Sequence, residues 1–68
     1  MSTEDFRKLL REYYKRMLLS KAETANELNV SEATIDRLRK NGELNSKKVL
    51  GQVMFSIDEI ALYLSEMK

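Results

Sequence analysis

Three serines constrain what this chain can become, because each stands where a helix has to begin. Ser20-Lys21-Ala22-Glu23 and Ser56-Ile57-Asp58-Glu59 both match the capping box. In that motif a serine hydroxyl and a glutamate carboxylate satisfy each other's free backbone N–H groups at a helix start. Ser31, which follows Asn29-Val30, is a third N-cap candidate. Three such signals in 68 residues divide the chain into short segments.

The segment from about Thr3 to Arg16 places Phe6, Leu9, Leu10, Tyr13 and Met17 at three- and four-residue spacings, the apolar stripe of an amphipathic helix. So small a domain needs the burial, and the stripe is expected to be core rather than a dimer surface. Tyr14 lies off the stripe beside Arg7, Arg11 and Lys15, open to partner or DNA contact. Met17-Leu18-Leu19 reads as a short extended stretch. A second helix is predicted from Lys21 to Leu28, with Ala22, Ala25 and Leu28 on one face. Asn29 tolerates a left-handed backbone and can end it in a tight turn. A third helix is predicted from Glu32 to about Lys40, burying Ile35 and Leu38 and stopped by Asn41-Gly42. Lys47-Lys48-Val49 and Gln52-Val53-Met54-Phe55 flank Leu50-Gly51 as a hairpin, with Gly51 at the positive-φ third position of a type II turn. A last helix is predicted from Ile57 to about Glu66, with Ile57, Ile60, Ala61, Leu64 and Met67 turned inward.

Length and composition narrow the chemistry. Sixty-eight residues make one domain, and a chain of this size buries only about 60% of the surface its unfolded form exposes. With neither cysteine nor histidine, disulfides are excluded and the best transition-metal ligands are missing. No cofactor is expected. No apolar stretch approaches the 18 or so residues of a membrane span, and no signal peptide opens the chain, so the expected location is the cytoplasm. The net charge is +1, unevenly spread: residues 31–55 carry Arg37, Arg39, Lys40, Lys47 and Lys48 against Glu32, Asp36 and Glu43. Charge alone would not point to nucleic acid.

Spacing is more telling. Two short helices joined by a tight turn define the helix-turn-helix, whose second helix enters the DNA major groove. Ala25 supplies the small residue where the helices touch, Asn29 the turn, and Leu28, Val30, Ile35 and Leu38 the apolar anchors. With Leu18-Leu19-Ser20, the run Ala25 to Ser31, Thr34-Ile35-Asp36-Arg37-Leu38, Asn41-Gly42-Glu43-Leu44, Gly51 at the hairpin tip and Ser56 before Ile60 and Leu64, the chain resembles the excisionase-like and MerR-like winged helix-turn-helix family. The resemblance spans roughly Met17 to Leu64. It implies a mainly α fold with a small β-hairpin wing, preceded here by an extra N-terminal amphipathic helix. The expected organisation is therefore a single domain over 1–68, with that helix at 3–16 and the winged helix-turn-helix at 17–66.

The resemblance also implies a double-stranded DNA partner, held by the second helix (about 32–40) and the wing (47–55). On the solvent side of that helix stand Ser31, Glu32, Thr34, Arg37 and Lys40. Arg37 suits guanine, since a guanidinium pairs bidentately with O6 and N7. Ser31 and Thr34 suit phosphate oxygens near a helix N-terminus, and Lys40 suits backbone charge. Glu32 and Asp36 would either accept from a cytosine amino group or restrain non-specific binding. The wing offers Lys47, Lys48 and Gln52, where many relatives carry arginine after the tip glycine; an edge strand charged against aggregation explains the lysines equally well.

Catalysis is not expected. Glu23 and Glu27, one turn apart, read as solvated surface, and no Cys–His or Ser–His pair or glycine-rich phosphate loop exists. Tyr13 or Tyr14 as a recombinase nucleophile would need a cluster of activating arginines. The roles that follow are an excisionase-type recombination accessory factor, with an integrase or recombinase as partner, or a small transcriptional regulator without a small-molecule effector. A single reading module binds weakly, so further copies of the chain on one stretch of DNA are expected. The competing class is a winged-helix protein-interaction module that binds no DNA, because a fold does not dictate its ligand.

Overall fold

The computed structural model describes residues 1–66 and contains four helices and a small sheet in the order α1 (Thr3–Tyr14), β1 (Leu18–Ser20), α2 (Lys21–Leu28), α3 (Glu32–Lys40), β2 (Lys47–Val49), β3 (Gln52–Ser56) and α4 (Ile57–Glu66). The sheet is antiparallel with strand order β1-β3-β2. Mainly helical, with a hairpin wing and an added N-terminal helix, this is a winged helix-turn-helix.

Serine caps set the boundaries. Ser20 forms the full box with Glu23, its hydroxyl accepting from the Glu23 N–H at 3.1 Å and the Glu23 carboxylate from the Ser20 N–H at 3.0 Å. Ser31 caps α3. Ser56 makes only half of the predicted box: its hydroxyl accepts from the Glu59 N–H, while the Glu59 carboxylate turns to the Asn45 amide at 3.1 Å. A further box, Ser2 with Asp5, opens α1. That helix stops at Tyr14, two residues short of the predicted Arg16, because Lys15 takes a left-handed backbone (φ 55°) and bonds back to the Arg11 carbonyl. Asn29 ends α2 in the left-handed conformation (φ 57°), as its chemistry predicts.

One cluster forms the core, joining Leu10 of α1 to Leu19, Ala25, Ile35, Leu38, Leu44, Phe55, Ile57, Ile60 and Ala61. Burying such side chains yields roughly 1.5–3 kcal/mol each before the entropy of ordering is set against it. Several inward assignments are corrected. In α1 the buried line is Phe6, Leu10 and Tyr14, spaced at four residues, while Leu9, Tyr13 and Met17 are exposed. In α2, Ala22 faces solvent and Thr24 is buried instead, its hydroxyl donating to the Ser20 carbonyl at 2.8 Å. Val30, expected as an anchor, is exposed because the turn carries it past the helix contact. Met67 lies outside the described residues.

The hairpin turn differs too. Leu50 (φ 52°) and Gly51 (φ 82°) are both left-handed, the signature of a type I′ rather than a type II turn. The reason is twist: a two-residue loop between antiparallel strands favours primed turns, which match the right-handed twist of their strands.

A candidate DNA-binding face on α3 and the wing

α3 has two sides. Ile35 and Leu38 anchor one in the core, and the opposite line runs through Ala33, Arg37 and Lys40, all exposed. Its start is fixed by Ser31, whose hydroxyl accepts from the Thr34 N–H at 3.1 Å and meets the Thr34 hydroxyl at 3.0 Å. Its end is fixed by Gly42 at φ 77°, with the Glu43 N–H returning to the Leu38 carbonyl at 2.9 Å.

Apart from Glu32, exposed in the first turn, the charges on this helix fall into two groups. Asp36 accepts from the Lys21 ammonium of α2 with both carboxylate oxygens at 3.1 Å, and from Arg39 at 3.3 Å. Those hydrogen bonds, the Lys21 one foremost, hold the Asp36 carboxyl below its ordinary range. Arg39 is thereby occupied within the fold. Arg37 and Lys40 have no carboxylate partner among the described residues. The outward line of α3 thus presents two cations, and the acid next to them is already neutralised.

All eight residues singled out from sequence lie at the surface: Ser31, Glu32, Arg37, Lys40, Lys47, Lys48 and Gln52 exposed, and Thr34 half-buried. Ser31 and Thr34 are joined to each other as the α3 cap, and Glu32 stands exposed in its first turn. On the wing, Lys47 pairs with Met54 and Lys48 with Val53 across the ladder. Neighbours along a strand point to opposite faces, and cross-strand partners share one. Lys48 therefore shares the side of Val53 and the buried Phe55, whereas Lys47 shares the outer side with Gln52's partner Val49. Sequence reasoning missed Ala33, which lies one turn before Arg37 on the outward line; the signal was its four-residue offset from Arg37.

Among the described residues no helix is long and apolar enough to cross a membrane, and no group of three or more acidic side chains gathers as a metal site would require. A family model described as a helix-turn-helix domain matches residues 18–68, covering everything after α1 and the turn behind it. No curated protein and no solved structure matches the chain.

Proposed function

The chain belongs to the helix-turn-helix domain family, and from that premise we propose that it binds double-stranded DNA sequence-specifically, with α3 in the major groove and the β2–β3 wing on the backbone. The observation that carries this reading is the outward line Ala33–Arg37–Lys40, a small residue followed by two cations without a carboxylate partner among the described residues, on a helix capped at both ends. A methyl group at Ala33 lets the helix approach the groove floor and suits the thymine methyl; Arg37 reads guanine; Lys40 and one of the two wing lysines neutralise phosphates. Ser31 and Thr34 hold the cap that aims the N-terminal N–H groups of α3 at the backbone.

The resemblance to excisionase-like and MerR-like proteins supports two roles for such binding, a recombination accessory factor working beside an integrase or a small transcriptional regulator. In either, several copies on neighbouring sites supply the affinity that one small module lacks.

Fluorescence anisotropy on duplexes selected from random sequence tests the proposal. Arg37→Ala is expected to cost about 1–3 kcal/mol on the selected site and little on random DNA. Because their side chains leave opposite faces of the wing, Lys47→Ala and Lys48→Ala are expected to differ. One should lower the salt slope by about 0.9 and the other should leave it nearly unchanged. Absence of salt-dependent binding to any duplex would refute the reading and favour a protein-interaction module.

A further inference from the structure

α1 buries the line Phe6, Leu10 and Tyr14 and leaves an apolar pair on the line beside it. Leu9 and Tyr13, one turn apart, are 57% and 79% exposed and border a surface groove whose remaining walls are Leu10 and Glu27. Adjacent on one helix face and joined by a groove, the two form a contiguous apolar patch, the kind of surface that serves contact rather than a singly scattered exposed residue.

The charges along the same helix have an order. Glu4 and Asp5 are acidic, Lys8 basic and Glu12 acidic, with Lys15 and Arg16 basic just past its end, and all are exposed; the remaining two cations, Arg7 and Arg11, are turned to Asp58 of α4 and stand outside this order. The order inverts in sign about Leu10. If a second α1 is laid alongside end for end, Lys8 falls opposite Glu12 within the helix, while Asp5 and Glu4 fall toward Lys15 and Arg16 beyond its end, where Glu4 and Arg16 already hold partners in their own chain. A parallel neighbour would set like charge against like. Lys8, Glu12 and Lys15 have no ion-pair partner within the chain among the described residues, so the first and most central pairing is not taken up internally.

We propose that this face binds a second copy of the chain, α1 against α1, antiparallel about a two-fold axis near Leu10. Leu9 of each protomer then packs on Tyr13 of the other, and Lys8 of each pairs with Glu12 of the other. The two-fold makes every contact occur twice, as an isologous interface requires. A single short helix covers far less than the ~800 Å² per partner of a standard interface. The dimer is therefore weak and forms with rising concentration. It requires no DNA, and it stands or falls apart from the DNA-binding reading.

Sedimentation equilibrium of the full chain without DNA tests it, with Lys8→Glu, Glu12→Lys, the double variant and Leu9→Ala, each checked for helicity by circular dichroism. The wild type is expected to approach twice its 8.0 kDa mass as concentration rises. Each charge reversal sets two like pairs across the two-fold and is expected to weaken association about tenfold. The double variant restores opposite charges and is expected to recover dimerisation, which only an antiparallel register allows. Leu9→Ala is expected to weaken association with the fold intact. A wild-type chain that stays monomeric at millimolar concentration would overturn the proposal. So would a dimer indifferent to the single reversals, or one that the double variant fails to restore.

Discussion

The Lys21 ammonium lies 3.1 Å from both carboxylate oxygens of Asp36, tying the first turn of α2 to the middle of α3. With both side chains about one third exposed, this ion pair contributes little stability and acts mainly on orientation. It adds a polar tie between α2 and α3 beside the core contacts of Ile35 and Leu38, and it neutralises an acid next to the face that carries Arg37 and Lys40.

Asp36→Asn is therefore expected to free Lys21 and Arg39. Affinity for random DNA should rise, and the salt slope should steepen by about one to two units. The variant should also lose part of the acid sensitivity of the fold. Hydrogen bonds to Lys21 and then Arg39 lower the Asp36 pKa from its ordinary 3.8. Folding thus favours the ionised form, whose stabilisation is present above 3.8 and fades as the pH falls through the lowered folded value. Melting temperatures of the two proteins should converge below about pH 4. A constant gap down to strong acid would show that the tie carries no proton linkage.

Tyr14 links α1 to α2 by donating its phenolic hydrogen to the Glu27 carboxylate at 2.6 Å. Burial first, then that hydrogen bond, push its pKa from 10.0 to about 12. The neutral phenol is the form that folding favours. Its contribution is complete below pH 10.0 and is lost as the pH climbs through about 12. Tyr14→Phe is expected to cost about 0.5–1.5 kcal/mol at neutral pH and to remove the late step from an ultraviolet phenolate titration. If that step persisted in the variant, it would belong to another tyrosine.

Which parts of this structure could be read in advance follows from the range of the interactions that set them. Ser20, Ser31 and Asn29 act within a few residues of themselves, so caps and the interhelical turn were visible in the sequence. Periodicity puts Tyr13 on the stripe and Tyr14 off it, and the structure reverses this, since Phe6, Leu10 and Tyr14 fit a four-residue spacing equally well. The choice was made by Glu27 and α4, which lie far along the chain. Likewise Asp36 read as an awkward acid on a DNA face because its partner Lys21 is fifteen residues away. The outward placement of Arg37 and Lys40 was legible because Ile35 and Leu38 fix the opposite side of the same short helix.

At the wing tip Leu50 is fully exposed and left-handed, φ 52°, so its side chain gains no burial while its backbone is strained. Leu50→Asn would create Asn-Gly, the favoured pair for a type I′ turn. It is expected to stabilise the fold by about 1 kcal/mol, the scale of the left-handed penalty for an ordinary residue. Urea denaturation measures this. No gain would mean that the turn relaxes to another type in solution.

Leu9 and Leu10 are neighbours in sequence and opposites in consequence. Leu10 is 5% exposed and belongs to the core cluster, while Leu9 is 57% exposed. α1 is held to α4 around that contact by the Thr3 and Ser65 hydroxyls, 2.5 Å apart, and by Arg7 and Arg11 at 3.6 and 3.8 Å from Asp58. These polar links are part-buried to exposed and contribute little by themselves, so the attachment of α1 rests mainly on Phe6, Leu10 and Tyr14. Leu10→Ala is expected to cost about 2–5 kcal/mol, a large part of the stability of so small a domain. Leu9→Ala should cost under about 0.5 kcal/mol. A chain beginning at Met17 should melt far lower or fail to fold, because removing α1 uncovers the α4 surface against which it packs. Thermal unfolding followed by circular dichroism at low protein concentration, where self-association is negligible, separates the cases. Equal costs for the two leucines would mean that α1 is attached through both lines and that Leu9 is not free for a partner. Native stability in the truncated chain would show that α1 is an appendage serving interaction alone.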